Sequence, residues 1–241
     1  MTYNFRSDCV ILLGDTHSHH TLYEMVIRIP KDSDLISLGD NGFAFGEDRA
    51  KAIYYTDNML KLINDFCKCE NINLYILIGN HDAPYPEIWD KKWSNIFLTK
   101  SGDYGIFPNG KKALLVGGGI SVDRCSRKQN IDYWSEEITP YITDIDKCDY
   151  LLSHDCPEEF NHQTNSLYKR FQWALDKDPT LLEDCKKQRN NMTRILKECG
   201  AEELYHAHMH NNITQTIDGV YGRCVDINEL YFLDTNHERT N

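Results

Sequence analysis

Apolar segments of this chain repeatedly end in polar side chains of the types that bind metal ions. The clearest case is Gly79-Asn80-His81-Asp82, which directly follows the apolar run 74–78. Three other apolar runs end in the same way, and one more ends at His154. The side chains that follow those three runs are Asp15 and His17, then Asp40, then His208 and His210. Short runs of this composition are typical of buried strands. The pattern therefore predicts a metal site on loops at one edge of a sheet.

The segments between these runs have the pattern of an α/β protein. Residues 47–70 carry apolar side chains at a period near 3.6, which predicts a helix between two strands. A second helix is predicted for Leu181–Cys199, because the following Gly200 is a typical residue after a helix end. Residues 213–227 contain Asp218-Gly219 between two apolar stretches, which favours a hairpin.

The composition narrows the class of protein. With 241 residues, 41% of them hydrophobic, the chain suits a single domain over residues 1–241, because single α/β domains run to roughly 250 residues. Its net charge of -11 repels phosphate backbones and disfavours long nucleic acids as partners. The nine cysteines form no CxxC pair, which favours reduced thiols and a cytoplasmic location. No segment approaches the ~20 apolar residues of a membrane helix, and no signal peptide is recognisable, so no membrane partner is expected.

The predicted donors are too many for one ion. In open α/β sheets, ligands gather at the carboxyl ends of strands. Seven nitrogen and oxygen donors follow strands here: Asp15, His17, Asp40, Asn80, His154, His208 and His210. They divide most simply between two divalent ions that share one carboxylate. Imidazole, carboxylate and amide donors without thiolate suit Mn, Fe, Zn or Co, with Mn favoured, and two such ions can clamp a phosphoryl group.

These motifs, in this order, resemble those of the calcineurin-like metallophosphoesterase superfamily. Its pattern is DxH, GD, GNH followed by Asp or Glu, a lone His, and GHxH, and only the Gly of the last motif differs, being Ala207 here. The resemblance implies a four-layer α/β/β/α sandwich of two mixed sheets flanked by helices. It further implies a first metal ion held by Asp15, His17 and His210, and a second held by Asn80, His154 and His208. Asp40 would bridge the two ions.

The same resemblance implies roles for residues that do not hold metal. His81 would act as general acid or stabilise the charge on the phosphoryl group, and Asp82 would orient His81. Asn80 would also contact the substrate. Residues 117–124, with the aromatic and acidic stretch after them, resemble small bacterial and phage members. Arg124 is then the candidate cation for phosphate binding, since a guanidinium matches two phosphate oxygens.

The expected activity is hydrolysis of a phosphomonoester or phosphodiester, through a hydroxide that bridges the two ions. A small or nucleotide-like phosphate is the expected substrate. A Ser/Thr phosphoprotein phosphatase is disfavoured, because the arginine that this branch has shortly after Asp40 is missing, and Asp82 replaces its Glu. The same fold also allows a nuclease or a non-catalytic binding module. Residues 156–180 lack a clear period and could form a cap or loop over the site. The oligomeric state is left open.

Overall fold

Twelve strands and five α-helices occur in the part of the chain that the computed structural model describes, residues 1–161 and 172–236. The strands are β1 (Thr2–Asn4), β2 (Cys9–Leu13), β3 (Asp34–Ser37), β4 (Asn73–Ile76), β5 (Ile96–Leu98), β6 (Asp103–Ile106), β7 (Lys112–Val116), β8 (Tyr150–Ser153), β9 (Glu203–His206), β10 (Ile213–Ile217), β11 (Val220–Cys224) and β12 (Leu230–Asp234). The helices are α1 (His19–Val26), α2 (Arg49–Cys69), α3 (Pro86–Trp89), α4 (Gln172–Lys177) and α5 (Leu181–Cys199).

The strands form two mixed sheets. The smaller sheet has the order β12-β2-β3-β4-β5, in which β2 to β5 are parallel and β12 is antiparallel to β2. The larger sheet has the order β1-β6-β7-β8-β9-β11-β10, in which β7, β8, β9 and β11 are parallel. The carboxyl ends of β2 to β4 therefore lie at one edge of the smaller sheet, and those of β7 to β9 at one edge of the larger sheet.

The two sheets pack face to face through alternate residues of their strands. In β2, Val10 and Leu12 belong to the core between the sheets, where they share a cluster with Leu115 of β7 and Leu152 of β8. The intervening residue Ile11 belongs to a separate core on the outer face. Because strands of this kind are buried on both faces, they are continuously apolar rather than alternating.

Helices cover the outer face of each sheet. Leu60 and Ile63 of α2 pack against the smaller sheet. Met192 and Ile195 of α5 pack against the larger sheet, in a cluster that includes Leu151 of β8. The order of layers is thus helix, sheet, sheet, helix, and the α/β/β/α sandwich expected from the sequence is confirmed.

The long elements follow the predicted boundaries closely. Helix α2 begins at Arg49, because the side chain of Asp48 accepts a hydrogen bond from the backbone N–H of Lys51 and caps the helix. Helix α5 spans the predicted Leu181–Cys199, and Gly200 ends it with a φ of 68°. The predicted hairpin is formed by β10 and β11.

Residues 156–180 are described only in part. Glu158–Phe160 form a short 3-10 turn and α4 follows at Gln172–Lys177, while residues 162–171 lie outside the described residues. The cap over the site therefore stays a prediction. Among the described residues, no helix is both long and apolar enough to cross a membrane.

Candidate metal centre

All seven predicted donors lie just after parallel strands, and both sheets contribute. They follow β2 (Asp15 and His17), β3 (Asp40), β4 (Asn80), β8 (His154) and β9 (His208 and His210). Because the two sheets pack face to face with these edges together, side chains from distant parts of the chain meet at one place. They form two groups.

The first group consists of Asp15, His17, Asp40 and His210, whose potential ligand atoms all lie within 4.8 Å of one another. The Nε2 atoms of His17 and His210 are 2.9 Å apart. Oδ2 of Asp15 lies 2.8 Å from Nε2 of His210 and 3.8 Å from Nε2 of His17. Three donor atoms thus converge on one point.

The second group consists of Asp40, His154 and His208. Nε2 of His154 lies 3.3 Å from Oδ1 of Asp40 and 3.0 Å from Oδ1 of Asn80, so the amide oxygen of Asn80 joins this group. Nδ1 of His154 is 2.9 Å from the backbone oxygen of Leu38. That contact places a proton on Nδ1 and leaves Nε2 as the atom that faces the other donors. Asp40 belongs to both groups.

The burial and chemistry of these donor atoms fit the binding of divalent ions. Oδ2 of Asp15 is buried, yet its contact with His210 lacks the alignment of a hydrogen bond, and it has no hydrogen-bond partner among the described residues. Nε2 of His154 faces two oxygens, so a positive charge must lie there. Burial would lower the pKa of His154, but Asp40 and Asp15 raise it to about 10. A cation supplies that charge equally well, and a set of imidazole, carboxylate and amide donors suits such a cation.

Strained backbone accompanies the predicted donors. His17, Asp40, His208 and His210 have φ between 49° and 62°, in the left-handed region that side chains with a Cβ rarely adopt. Each such residue costs of order 1 kcal/mol and persists only where its surroundings enforce it. Gly79 is required for a different reason, since a Cβ there would collide with the backbone N and the carboxylate of Asp40. The loops are therefore shaped around the donor atoms.

The hydrogen bonds of Asp82 run to backbone N–H groups of two loops, and its role in orienting His81 stays a prediction. Oδ1 of Asp82 accepts hydrogen bonds from the backbone N–H of Asn41 at 2.9 Å and of Phe43 at 3.1 Å. Oδ2 accepts from the N–H of Gly79 at 2.9 Å. The buried carboxylate therefore ties the loop after β3 to the loop after β4. Its effect on the site is to fix the relative position of the donors on these two loops.

His81 faces an arginine that sequence reasoning missed. Nη2 of Arg127 lies 2.9 Å from Nε2 of His81 and 2.6 Å from Oδ1 of Asp123, and the ring of Phe45 stacks on the imidazole with centroids 5.2 Å apart. A guanidinium has only donors, so Nε2 of His81 must accept, and the imidazole is neutral in this arrangement. Burial also lowers the pKa of His81 to about 4, although the charge of Asp40 opposes the shift. The same Nε2 atom of His81 lies 3.9 Å from Oδ2 of Asp40.

Arg124 is engaged elsewhere. Its Nε donates to Asp178 at 2.5 Å, and its Nη2 donates to Asp184 at 2.7 Å and to Thr180 at 3.0 Å. Two carboxylates thus neutralise the guanidinium at the start of α5, and its contacts do not support the predicted role in phosphate binding. Arg127 follows three residues later. No sequence signal separates the two arginines, because both lie in the same irregular segment.

A chain of hydrogen bonds connects Asn80 through Ser121 to Glu137. Nδ2 of Asn80 donates to Oγ of Ser121 at 3.1 Å, and Ser121 donates through its backbone N–H and its hydroxyl to the carboxylate of Glu137, at 2.6 Å and 2.8 Å. Burial raises the pKa of Glu137 to about 7, although these hydrogen bonds oppose the shift. An isolated Ser and an isolated Glu on separate loops carry no pattern that would have marked either residue from the sequence.

A sandwich of two sheets that gathers imidazoles and carboxylates at one edge has the donors that a metal-dependent enzyme requires. The sequence matches the model of the calcineurin-like phosphoesterase family over residues 10–212, most of the chain. The chain belongs to this family and is a metal-dependent phosphoesterase, as the motifs predicted.

The other two comparisons give no information about the substrate. No curated protein matches the chain significantly. A solved crystal structure of another protein aligns with 95% of this chain and 99% of its own, with a TM-score of 0.50 and 11% sequence identity. At this identity the likeness supports the shared architecture and says nothing of the substrate.

Proposed function

We propose that the chain hydrolyses a small phosphate ester at a centre of two divalent ions. Asp15, His17 and His210 would hold one ion, Asn80, His154 and His208 the other, and Asp40 would hold both. The observation that carries this proposal is the sharing of Asp40 between two separate groups of donors. Manganese is the favoured metal, although the donor set suits Fe, Zn or Co as well.

The ions, when bound, would withdraw charge from the phosphoryl oxygens and activate a water molecule. Around them, Arg127 would bind the phosphoryl oxygens with its guanidinium, which is the role first expected of Arg124. His81, neutral and in contact with Arg127, would hold the guanidinium at the site rather than protonate the leaving group. Phe45 would keep both side chains in place by stacking on His81, and Asp82 would keep the two loops together.

The charge of the chain supports a small substrate. With a net charge of -11, the protein would repel the phosphate backbone of a long nucleic acid unless a local basic groove compensated it. The carboxylates at the centre are a separate matter, because bound cations neutralise them. Nine free cysteines, six of them buried, are compatible with a reducing cytoplasm.

Hydrolysis of p-nitrophenyl phosphate and of bis(p-nitrophenyl) phosphate tests the proposal directly. Purified protein supplied with Mn²⁺ should turn over at least one of the two esters, and the comparison separates monoesterase from diesterase activity. Treatment with EDTA should remove the activity, and Mn²⁺ should restore it. No turnover of either ester by protein that holds metal would refute the proposal. Faster hydrolysis of phosphopeptides or of DNA would instead favour a phosphoprotein phosphatase or a nuclease.

The two arginines offer a matched pair for the substrate-binding role. Arg127→Ala should raise KM or lower kcat so that kcat/KM falls by on the order of 100-fold, because a charge-assisted contact to phosphate is lost at a buried position. Arg124→Ala removes the same side chain three residues away and should change kcat/KM by less than about threefold, since two carboxylates already occupy its guanidinium. Steady-state kinetics on p-nitrophenyl phosphate measures both. A larger loss for Arg124→Ala than for Arg127→Ala would return the role to Arg124.

A further inference from the structure

Glu137 is a buried carboxylate that belongs to neither group of donors. It is only 3% exposed and lies in a short 3-10 turn, Ser135–Glu137. Its backbone oxygen accepts a hydrogen bond from the N–H of Gly119 at 2.8 Å, which holds the turn against the loop after β7. A carboxylate this deep carries a desolvation cost unless its oxygens accept hydrogen bonds. Both of those bonds come from Ser121.

The polarity of these hydrogen bonds determines which way Asn80 faces. A carboxylate only accepts, so the hydroxyl hydrogen of Ser121 must point at Glu137. The hydroxyl oxygen then offers only lone pairs to its other neighbour, which is the side-chain amide of Asn80. The amide must present its NH2 group to Ser121, as the 3.1 Å contact from Nδ2 shows. Its oxygen is thereby left to face His154.

We propose that Glu137 is a positioning residue for the second metal ion, because it orients the amide oxygen of Asn80 through Ser121. The inference rests on the proposed function, since it needs an ion held by Asn80. An asparagine can present either oxygen or nitrogen to a site, and only the oxygen binds a cation. Glu137 removes that ambiguity without touching the metal.

Glu137→Gln should weaken one metal site and leave the other unchanged. The new amide oxygen must accept from the backbone N–H of Ser121, so its NH2 group faces the hydroxyl. The hydroxyl hydrogen then has an acceptor only if Asn80 turns its oxygen away from the metal site. The variant must therefore either leave a buried hydroxyl unpaired or turn the Asn80 amide. Either change should lower the affinity of the second site for Mn²⁺ by on the order of tenfold. Calorimetric titration of the metal-free protein with Mn²⁺ at about pH 8.5, where Glu137 is ionised, measures both sites.

Glu136→Gln is the matched control. It removes the same charge from the adjacent residue, which is exposed and contacts Ser135 rather than Ser121. It should bind both ions as the wild type does. If Glu137→Gln fails to fold, judged by thermal melting without metal, Ser121→Ala replaces it, since removal of the hydroxyl also leaves the Asn80 amide unanchored.

A double-mutant cycle with Asn80→Asp separates orientation from simple loss of charge. A carboxylate at this position presents an oxygen to the metal whichever way it turns, so Glu137→Gln should cost nothing when Asn80→Asp is already present. Tenfold weakening in the otherwise wild-type protein and none in the Asn80→Asp variant would support the inference. Equal weakening in both backgrounds, or none in either, would overturn it while leaving the proposed function intact. A wild-type protein that binds fewer than two ions would overturn the proposed function itself.

Discussion

Asp40→Asn is expected to lower kcat/KM for phosphate ester hydrolysis by about 10³-fold or more. The carboxylate is the only side chain among the described residues that belongs to both donor groups, so its loss weakens both proposed ions at once. A metal clamp contributes several kcal/mol to transition-state stabilisation, and about 4 kcal/mol corresponds to 10³ in rate. Burial would raise the pKa of Asp40, but the neighbouring His154 holds it well below its usual range. Steady-state kinetics and metal analysis by mass spectrometry measure the effect.

Asp34→Asn is the matched control for this variant. Asp34 is also fully buried and opens the same strand, β3, at the end opposite to Asp40. Its carboxylate accepts from the backbone N–H of Arg6 and from Asn73, neither of which belongs to the donor groups. This variant should lose stability but keep its metal content and its turnover per folded molecule. Asp40→Asn protein with a normal content of two ions and undiminished turnover would refute the bridging role.

His81→Ala is expected to lower kcat by on the order of 100-fold while metal content stays unchanged. The imidazole contacts Arg127 and Phe45, and its loss frees the guanidinium from the contact that holds it at His81. His81→Gln should recover part of the activity, because its side-chain oxygen can still accept from Arg127. Loss of metal in either variant would mean that His81 belongs among the ligands.

The leaving group of the substrate distinguishes the two roles considered for His81. A general acid matters most for esters with poor leaving groups, whose hydrolysis it accelerates by about 10²–10⁴-fold. His81→Ala would then impair phenyl phosphate far more than p-nitrophenyl phosphate. A residue that positions Arg127 acts equally on both esters, and this is the result we expect. The neutral imidazole, with a pKa lowered to about 4, should also leave the activity unchanged by its own titration between about pH 6 and 8.

The sequence predicted the fold wherever the elements were long or continuously apolar. Helix α5 was predicted to the residue because Gly200 marks its end, and α2 to within two residues because its apolar period is regular. The short elements escaped prediction. Helix α1 has eight residues, and β1 and β5 have three each, too few to establish a period. Their existence depends on packing against the rest of the sheets.

In the candidate site, too, the sequence predicts some residues and not others. The donor residues were predictable because each follows a strand, and strand ends converge wherever parallel strands lie side by side. The residues around them were not, since Asp82, Arg124 and Arg127 owe their contacts to the paths of irregular loops. Arg124 and Arg127 lie three residues apart, yet one meets two carboxylates of another segment and the other meets His81. Sequence spacing cannot separate such neighbours, because the loop decides which way each points.

A crystal of the wild-type protein grown with Mn²⁺ tests the central claim most directly. An anomalous difference map at the manganese edge should show two peaks about 3.5–4 Å apart, with Asp40 between them and the other donors divided as proposed. One peak alone, or peaks away from Asp40, would contradict the two-ion centre on which the proposed mechanism depends.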